Sequence, residues 1–288
     1  MCFYPKQITI HNKVTGQYKD VEVPCRKCAE CRQLRANEWG LRCHMEMKEH
    51  ERNTFVTLTY AEEYNPVVLH KEEFQKFMKR LRKKIAPIKV KYFGCGEYGD
   101  QGLRPHFHIT IFGYSFEDRR YWKMSKSNIP IYLSEELSKL WKYGDAYVQD
   151  VTIQSIKYSA LYATKEKETL PEPLDMFPEF NLMSQSLGIE PIINKISTYL
   201  KTDEIYVDGF AYRIPETILQ IFQRVRYKGK YFKSNVDGVN TGYILSPEKI
   251  EIVENLKIER FKNKKDRNLE TIRRVKEKKK KFAGLREI

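Results

Sequence analysis

Along the first half of the chain, apolar and polar residues alternate in four short segments, the pattern of half-buried β-strands. The segments cover residues 55–60, 90–93, 109–112 and 146–153, and they are rich in β-branched and aromatic residues. Short strands of this kind pair readily with antiparallel neighbours. We therefore expect a central antiparallel sheet of about five strands.

Between these strands, apolar residues recur three and four positions apart, which predicts amphipathic helices. The predicted helices cover residues 72–84, 135–141 and 155–167. Thr152 and Ser155 are both suitable N-caps for the third helix. We expect all three helices to pack on one face of the sheet. The predicted fold class is therefore α+β, a sheet flanked by helices.

Two histidines, His106 and His108, lie directly before the apolar strand 109–112. Residues two apart in a strand point to the same side, so both rings would face one site. Upstream, residues 91–99 read as a strand that ends in a glycine-rich hairpin, which would place Glu97 across from the histidines. Two imidazoles and a carboxylate can hold a metal and leave positions open for substrate. The alternative is that one ring packs in the core and the other decorates the surface.

Tyr158 and Tyr162 are four residues apart in the third predicted helix, so both side chains would stand on one helical face. Lys165 continues that face almost one turn later. Both hydroxyl groups could then reach the same ligand. The alternative is an aromatic stripe that packs under the sheet.

The chain is basic, with 52 Lys and Arg against 38 Asp and Glu and a formal charge of +14. This balance favours binding to a polynucleotide, because cations displace the counterions of a phosphate backbone. Arg80, Arg82 and Lys83, near the end of the first predicted helix, are candidate DNA contacts. Their alternative role is to complement the helix dipole.

The cysteines suggest a second metal site. Three of the six cysteines form a Cys-x-x-Cys-x-x-Cys run, and no signal peptide or apolar span of membrane length is recognisable. Reduced, closely spaced thiols favour a tetrahedral zinc site over disulfides. The candidate ligands are Cys25, Cys28 and Cys31, with Cys2 as the fourth and Cys43 or His44 as its substitutes. An iron–sulfur cluster or unligated thiols are the alternatives.

Together these motifs resemble the HUH endonucleases of rolling-circle replication, and among them the replication initiators of microviruses, the small single-stranded DNA phages, of the gokushovirus type. The similar features, in chain order, are the cysteine run 24–32, the strand 55–60, the segment 77–83, Glu97, the run Arg104-Pro105-His106-Phe107-His108, the pair Tyr158-x-x-x-Tyr162 with Lys165, and the segment 184–189. The resemblance extends from Cys2 to about Ile214.

The resemblance implies a role for each matching residue. His106, His108 and Glu97 would hold a divalent cation, Mg²⁺ or Mn²⁺, and Tyr158 and Tyr162 would be nucleophiles. One residue departs from the family pattern, because Leu161 stands where a lysine is expected before the second tyrosine. Lys157 and Lys165 are then the available cations, Lys165 beside the catalytic tyrosines and Lys157, with Arg104, in contact with DNA.

The function implied is that of a site-specific single-stranded DNA endonuclease and ligase. It would initiate and terminate rolling-circle replication of a small circular phage genome through a 5′-phosphotyrosine intermediate. Expected partners are the single-stranded origin, a host helicase and a DNA polymerase in the bacterial cytoplasm, with no membrane. Alternatives are a plasmid initiator, relaxase or transposase of the same chemistry, or a non-enzymatic, zinc-stabilised DNA-binding protein.

Four parts are expected along the chain. They are a Cys-rich arm over residues 1–50 with structural Zn²⁺, an HUH nuclease palm over 51–168, an extension over 169–248, and a basic tail over 249–288 that is helical or disordered. A cluster of prolines marks the break after residue 169. The extension is expected to be mostly helical, with a hairpin around Asp208-Gly209.

Overall fold

The structure, a computed structural model, describes residues 2, 4–11, 18–99, 102–125, 127–162, 172–215, 217–219, 234–236, 239–241 and 255–256. It divides the chain into two compact units, one over Cys2–Asn194 and the other from Lys195 onward together with Met1. The predicted basic tail 249–288 lies almost entirely outside the described residues.

A seven-stranded antiparallel sheet is the centre of the first unit. Its strands are β3 (Asn53–Thr59), β4 (Lys91–Tyr98), β5 (Pro105–Phe112), β6 (Arg120–Met124), β7 (Pro130–Leu133), β8 (Ala146–Asp150) and β9 (Phe180–Met183). They are ordered β6-β7-β8-β3-β5-β4-β9, so the strand with both histidines lies near the middle. A separate two-stranded sheet, β1 (Lys6–His11) with β2 (Tyr18–Val23), precedes it.

Among the described residues, five α-helices belong to the first unit, and their bounds are close to those expected where the sequence made a prediction. They are α1 (Ala29–Lys48), α2 (Lys71–Ile85), α3 (Glu135–Leu140), α4 (Ile153–Tyr162) and α5 (Glu190–Asn194). Thr152 caps α4, because the Ser155 backbone N–H donates to Thr152 Oγ1 at 3.0 Å and the Thr152 N–H donates to Ser155 Oγ at 2.9 Å.

The helices occupy both faces of the sheet, so the expectation of a single face was wrong. Phe107, Ile109 and Ile111 of β5 pack with α2 and α3 on one side, which we call the core face. His106, His108 and Phe112 point to the other side, the histidine face, where α1 and α4 pack. Strand periodicity requires this division, because a helix that carries Tyr158 to the histidines must lie opposite the helix that covers Phe107.

Two glycines let β4 carry the site on one side and bulky aromatic rings on the other. A Cβ at Gly94 would lie 2.7 Å from the ring of Phe74, and one at Gly96 would lie 2.7 Å from the ring of Phe180. Both glycines therefore leave room on the core face for those rings. The alternate residues, Cys95 and Glu97, point to the histidine face.

The segment after β9 locks onto α1. Leu187 is fully buried, and its carbonyl accepts a 2.8 Å hydrogen bond from Arg42 Nε. Gly188, with φ of +65°, lies so close to α1 that a Cβ would meet the Arg42 carbonyl oxygen at 2.0 Å. Its N–H donates to Glu46 Oε2 at 2.8 Å. The sequence analysis noticed this segment only for its resemblance, and the structure gives it a packing role.

Two further expectations about the fold were wrong. The sheet has seven strands rather than about five, since β6 and β7 form an extra edge hairpin and β9 pairs with β4. The 169–248 extension is not mostly helical in its described part. It supplies a strand of the main sheet and, in the second unit, α6 (Ile196–Thr202), the hairpin β10 (Glu204–Val207) with β11 (Phe210–Arg213), and the pair β12 (Ser234–Val236) with β13 (Val239–Thr241). The hairpin at Asp208-Gly209 is confirmed.

None of the helices in the described part of the chain combines the length and apolarity needed to cross a bilayer.

Candidate metal centre and nucleophile

Strand register brings the predicted ligands together at the centre of the sheet. Glu97 of β4 pairs directly with His106 of β5, and Cys95 pairs with His108. On the opposite side of β5, Thr57 of β3 pairs with His108. Directly paired residues of antiparallel strands point to the same face. Glu97, His106, His108 and Thr57 therefore share the histidine face.

The side chains of Glu97, His106 and His108, which we call the triad, converge on one oxygen. His106 Nε2 lies 2.8 Å from Glu97 Oε1, and His108 Nε2 lies 3.0 Å from the same atom. One ligand atom from each residue lies within 4.8 Å of the others, so the triad could hold a metal ion. The expectation that both histidines face one site is confirmed, and the alternative of one core and one surface ring is excluded.

Electrostatics in the triad favour an ionised carboxylate. Burial raises the pKa of Glu97, but hydrogen bonds to His106 and His108 outweigh it and lower that pKa to about 2. Burial lowers the pKa of His108, and its partner Glu97 only partly opposes this. At neutral pH the arrangement therefore offers a carboxylate and, at His108, a neutral imidazole. Both are the forms that bind metal.

Hydrogen bonds on the far side of each ring leave Nε2 facing the triad centre. His108 Nδ1 lies 2.9 Å from Thr57 Oγ1, and His106 Nδ1 lies 3.1 Å from the backbone oxygen of Arg104. A carbonyl can only accept, so Nδ1 of His106 carries the proton and Nε2 presents its lone pair. Such partners behind metal-binding histidines orient the rings and raise their basicity.

A buried oxygen of Glu97 indicates what the triad is built to bind. Glu97 Oε2 has no hydrogen-bond partner among the described residues although it is shielded from solvent. An unsatisfied buried carboxylate oxygen costs free energy unless a ligand satisfies it. Since two imidazole nitrogens lie beside it, the residues fit a divalent cation that accepts nitrogen and oxygen ligands.

Helix α4 delivers Tyr158 to the triad. Ile156 and Ala160 are buried, Ile156 in a cluster with Phe93 and Phe112, and this seats the helix on the histidine face. Tyr158 Oη donates to Glu97 Oε1 at 3.2 Å, and its ring meets that of His108 edge-on with centroids 5.4 Å apart. Because the tyrosine is 40% exposed, its hydroxyl group is accessible from solvent.

The second predicted nucleophile is only partly described. Tyr162 is the last residue of α4, so its backbone is one helical turn beyond Tyr158. The Tyr162 side chain and the whole of Lys165 lie outside the described residues.

A second cluster lies at the start of α1. Cys2, Cys25, Cys28 and Cys31 have sulfur atoms within 4.8 Å of one another. The backbone N–H groups of Cys25 and Cys28 donate to the sulfurs of Cys2 at 3.1 Å and Cys25 at 3.3 Å. The Cys28 bond is the main cause that lowers the pKa of Cys25 to about 6, which favours the thiolate that binds metal.

Geometry selects Cys2 rather than its two substitutes as the fourth candidate. Cys43 is buried against Phe93 and Phe112, where desolvation raises the pKa of its thiol. Neither Cys43 nor His44 belongs to the cluster.

Comparison with known proteins assigns the core of the chain. Residues 53–167 match the family model of the phage replication-associated protein ORF2. This part of the chain belongs to that family. It includes strands β3–β8, the triad and helix α4.

Three curated relatives are replication-associated proteins of small phages. ORF4 of Chlamydia phage 1 is 32% identical over 70% of this chain and 54% of its own length. ORF2 of Spiroplasma virus 4 is 33% identical over 64% and 61%, and VP4 of Bdellovibrio phage phiMH2K is 33% identical over 54% and 51%. The chain thus spans about half to three fifths of these relatives. No solved structure matches it significantly.

The predicted DNA-binding residues of this replication-associated segment are scattered. Arg80, Arg82 and Lys83 belong to α2, which packs on the core face, opposite the triad. Arg80 Nε donates to the Leu140 carbonyl at 2.8 Å. Of these five candidates, Lys157, exposed beside Tyr158, and Arg104 lie near the site.

Arg104 is engaged within the protein. It forms a 2.9 Å ion pair with Glu62 and donates to the backbone oxygen of Tyr60 at 3.0 Å. These contacts hold the connection before β5, so they position the backbone oxygen that fixes the His106 ring.

Sequence reasoning missed Thr57, although it identified the strand that contains it. Thr57 lies two residues after Phe55, whose ring stacks on His108 with centroids 5.5 Å apart. Alternation along β3 could have placed Thr57 and Phe55 on one face. Which face, and opposite which residue of β5, depends on strand register, which the sequence does not contain.

Proposed function

We propose that this protein is a site-specific endonuclease and ligase for single-stranded DNA. It would initiate and terminate rolling-circle replication of a small circular phage genome through a 5′-phosphotyrosine intermediate. The observation that carries the proposal is the hydrogen bond between Tyr158 Oη and the carboxylate to which both histidines converge. A nucleophile and a charge-neutralising centre within one site are what phosphoryl transfer requires.

The triad supplies the ligands for a divalent cation. Mg²⁺ or Mn²⁺ held by Glu97, His106 and His108 would neutralise charge on the scissile phosphate and orient it for in-line attack. Tyr158, whose hydroxyl already lies beside Glu97, is positioned on the side from which it can reach such a phosphate.

The cleavage step forms one bond and breaks one. The Tyr158 oxygen, as it loses its proton, bonds to phosphorus, and the phosphorus–3′-oxygen bond breaks. The leaving 3′-oxygen takes up a proton, which gives a free 3′-hydroxyl group that can prime synthesis. Because the phosphotyrosine bond retains the energy of the phosphodiester, a later attack by a 3′-hydroxyl group reseals DNA without ATP.

Tyr162 supplies the second nucleophile in this proposal. While one tyrosine holds the parental 5′ end, the other would cut the regenerated origin after a round of synthesis. Alternation of the two roles releases a circle. A single-stranded origin, a host helicase and a host polymerase are the partners that this cycle requires.

Incubation of the full chain with single-stranded DNA that contains the origin, in the presence of Mn²⁺ or Mg²⁺, tests the proposal. The expected product is a covalent adduct that survives denaturing electrophoresis and maps to a peptide with Tyr158 or Tyr162. Chelation of the cation should abolish it. Binding without any adduct would favour the alternative, a non-enzymatic DNA-binding protein.

The choice among a phage initiator, a plasmid initiator, a relaxase and a transposase rests on the phage relatives. A minicircle assay separates them, since the phage initiator should release a closed single-stranded circle from a template with two origins. Cleavage without circle release would favour the other members of this chemistry.

Replacing Thr57 by Val tests the support of the metal centre. The substitution removes the oxygen that lies 2.9 Å from His108 Nδ1 while it preserves side-chain volume. We expect Mn²⁺ affinity, measured by titration calorimetry, to fall by about 10- to 100-fold. Thr59→Val is the matched control, because Thr59 lies on the same strand and face but bonds the Asp145 carbonyl instead. Equal affinity in both variants would contradict the role of Thr57.

We also propose that the four clustered cysteines hold a structural Zn²⁺. The expected result is one zinc per chain by elemental analysis under reducing conditions, lost with Cys2→Ser and retained with Cys43→Ala. Loss of zinc should also lower the melting temperature, since the metal would tie residue 2 to the start of α1. Zinc-free wild-type protein of unchanged stability would remove this site.

A further inference from the structure

The exposed edge of the sheet carries an aromatic stack that the proposed chemistry does not use. The ring of Trp122 in β6 lies parallel to that of Tyr147 in β8, with centroids 4.9 Å apart and planes within 5°. Trp122 is 42% exposed, and every residue of β6 is exposed. A tryptophan at the surface normally has a partner or a ligand, because its large apolar area is costly to hydrate.

Strand register places this stack on the histidine face. Tyr147 pairs directly with Thr57, and Thr57 pairs directly with His108, so the three side chains form one row across β8, β3 and β5. Two strand spacings separate Tyr147 from His108, a distance of about 10 Å. The row continues through Leu133 to Arg120 at the edge of the sheet.

A register shift in β6 explains why Trp122 reaches this face. Pairing with β7 shifts between Tyr121 and Lys123, so Trp122 is the extra residue of a bulge. Bulges re-aim side chains, and this one lets Trp122 and its neighbour Lys123 both approach the histidine face. Tyr121, paired with Tyr132, points to the core face instead.

Cations frame the aromatic stack. Lys123 Nζ lies 3.9 Å from the centroid of the Trp122 ring. Two rings stacked at 4.9 Å leave no room between them for an ammonium group, so Lys123 covers the outer ring face. Arg120 is exposed in the same row. Asp150 near the edge is neutralised by Arg119, and Asp145 accepts a hydrogen bond from Tyr147 Oη that fixes the ring.

We propose that Trp122 and Tyr147 form a base-stacking platform for the single-stranded DNA next to the scissile phosphate. This inference rests on the proposed function, because it takes the triad as the position of that phosphate. An unpaired base would replace the flexible Lys123 side chain on the outer face of Trp122, and the displaced ammonium group would bind a neighbouring phosphate. Charge and ring chemistry both match a single strand, whose bases are unstacked and whose backbone is anionic.

The platform also sets a distance along the strand. A stacked strand advances about 3.4 Å per nucleotide, so about 10 Å corresponds to at most about three nucleotides. The base held by Trp122 therefore lies within about three nucleotides of the cleaved bond. Stacking is indifferent to base identity, so the platform would hold the strand in place without reading its sequence.

The binding test uses the full chain and fluorescent single-stranded oligonucleotides that contain the origin, without divalent cation so that no cleavage occurs. Trp122→Ala should weaken binding by about tenfold, and Trp122→Phe should restore most of it. Tyr121→Ala is the matched control, since it removes a more exposed aromatic ring from the same strand but the opposite face. Equal affinities for wild type, Trp122→Ala and Tyr121→Ala would overturn the platform.

A scan of the DNA tests the position independently of any protein variant. Single abasic sites placed along the oligonucleotide should weaken wild-type binding most within about three nucleotides of the cleaved bond, and this minimum should vanish with Trp122→Ala. A flat scan with wild-type protein would contradict the proposal, as would self-association through β6 that Trp122→Ala abolishes without an effect on DNA binding. Wild-type protein that shows the minimum but forms no adduct with Mn²⁺ would sink only the endonuclease.

Discussion

Loss of covalent adduct formation by at least about 10³-fold is the result expected when both Tyr158 and Tyr162 are replaced by Phe. The double variant keeps both rings, including the edge contact of Tyr158 with His108, and removes only the oxygens that can attack phosphorus. Adducts are measured by denaturing electrophoresis with end-labelled origin DNA and Mn²⁺. Undiminished adduct formation by this variant is incompatible with the assigned nucleophiles.

The single variants separate the two roles. Tyr158→Phe and Tyr162→Phe should each still nick DNA, since one nucleophile remains, but neither should release circles efficiently. Tyr121→Phe, an exposed tyrosine on the core face, is the matched control and should retain both activities. If Tyr158→Phe alone abolished all nicking, the alternation of the two tyrosines would be wrong although the metal centre could stand.

The largest expected effect on stability comes from Gly188→Ala. An added Cβ would meet the Arg42 carbonyl oxygen at 2.0 Å, and this oxygen is backbone within α1, so it cannot move aside. Gly188 also has φ of +65°, which an alanine adopts at a cost of about 1–2 kcal/mol. With the clash added, we expect the free energy of unfolding to fall by about 4 kcal/mol or more.

Gly209→Ala isolates the contribution of the clash. Gly209 has φ of +78°, similar to that of Gly188, but a Cβ there has no heavy atom within 4 Å. This control should lose only about 1–2 kcal/mol. Urea unfolding followed by circular dichroism measures both variants. Similar losses would show that the segment after β9 does not pack tightly on α1.

Local patterns were a good guide to individual elements. Alternation around Phe55 and around Ile109 marked strands, and the spacing of Phe74, Phe77 and Leu81 marked α2 almost to its ends. Patterns failed where a strand has little alternation of its own. β6 is exposed along its whole length and is a strand because β7 pairs with it, and β9 has only four residues.

The choice of faces shows how local and tertiary information divide. Periodicity alone put His106 and His108 together and Phe107 opposite them. It could not assign α2 to one side and α4 to the other, since each helix has an apolar stripe that fits either face. The packing of Ile156 against Phe93 and Phe112 made that choice, and it brought Tyr158 to the triad.

By itself, the sequence determined the chemistry available to this protein: two histidines at strand spacing, tyrosines at helical spacing, and three cysteines in a run. These are properties of residues close in the chain, whose relative positions follow from backbone geometry. Only the tertiary structure decided what meets them. Thr57 behind His108, Cys2 beside Cys25 and Trp122 over Tyr147 are joined by strand register and helix packing, and these depend on the burial of the whole chain rather than on any local pattern.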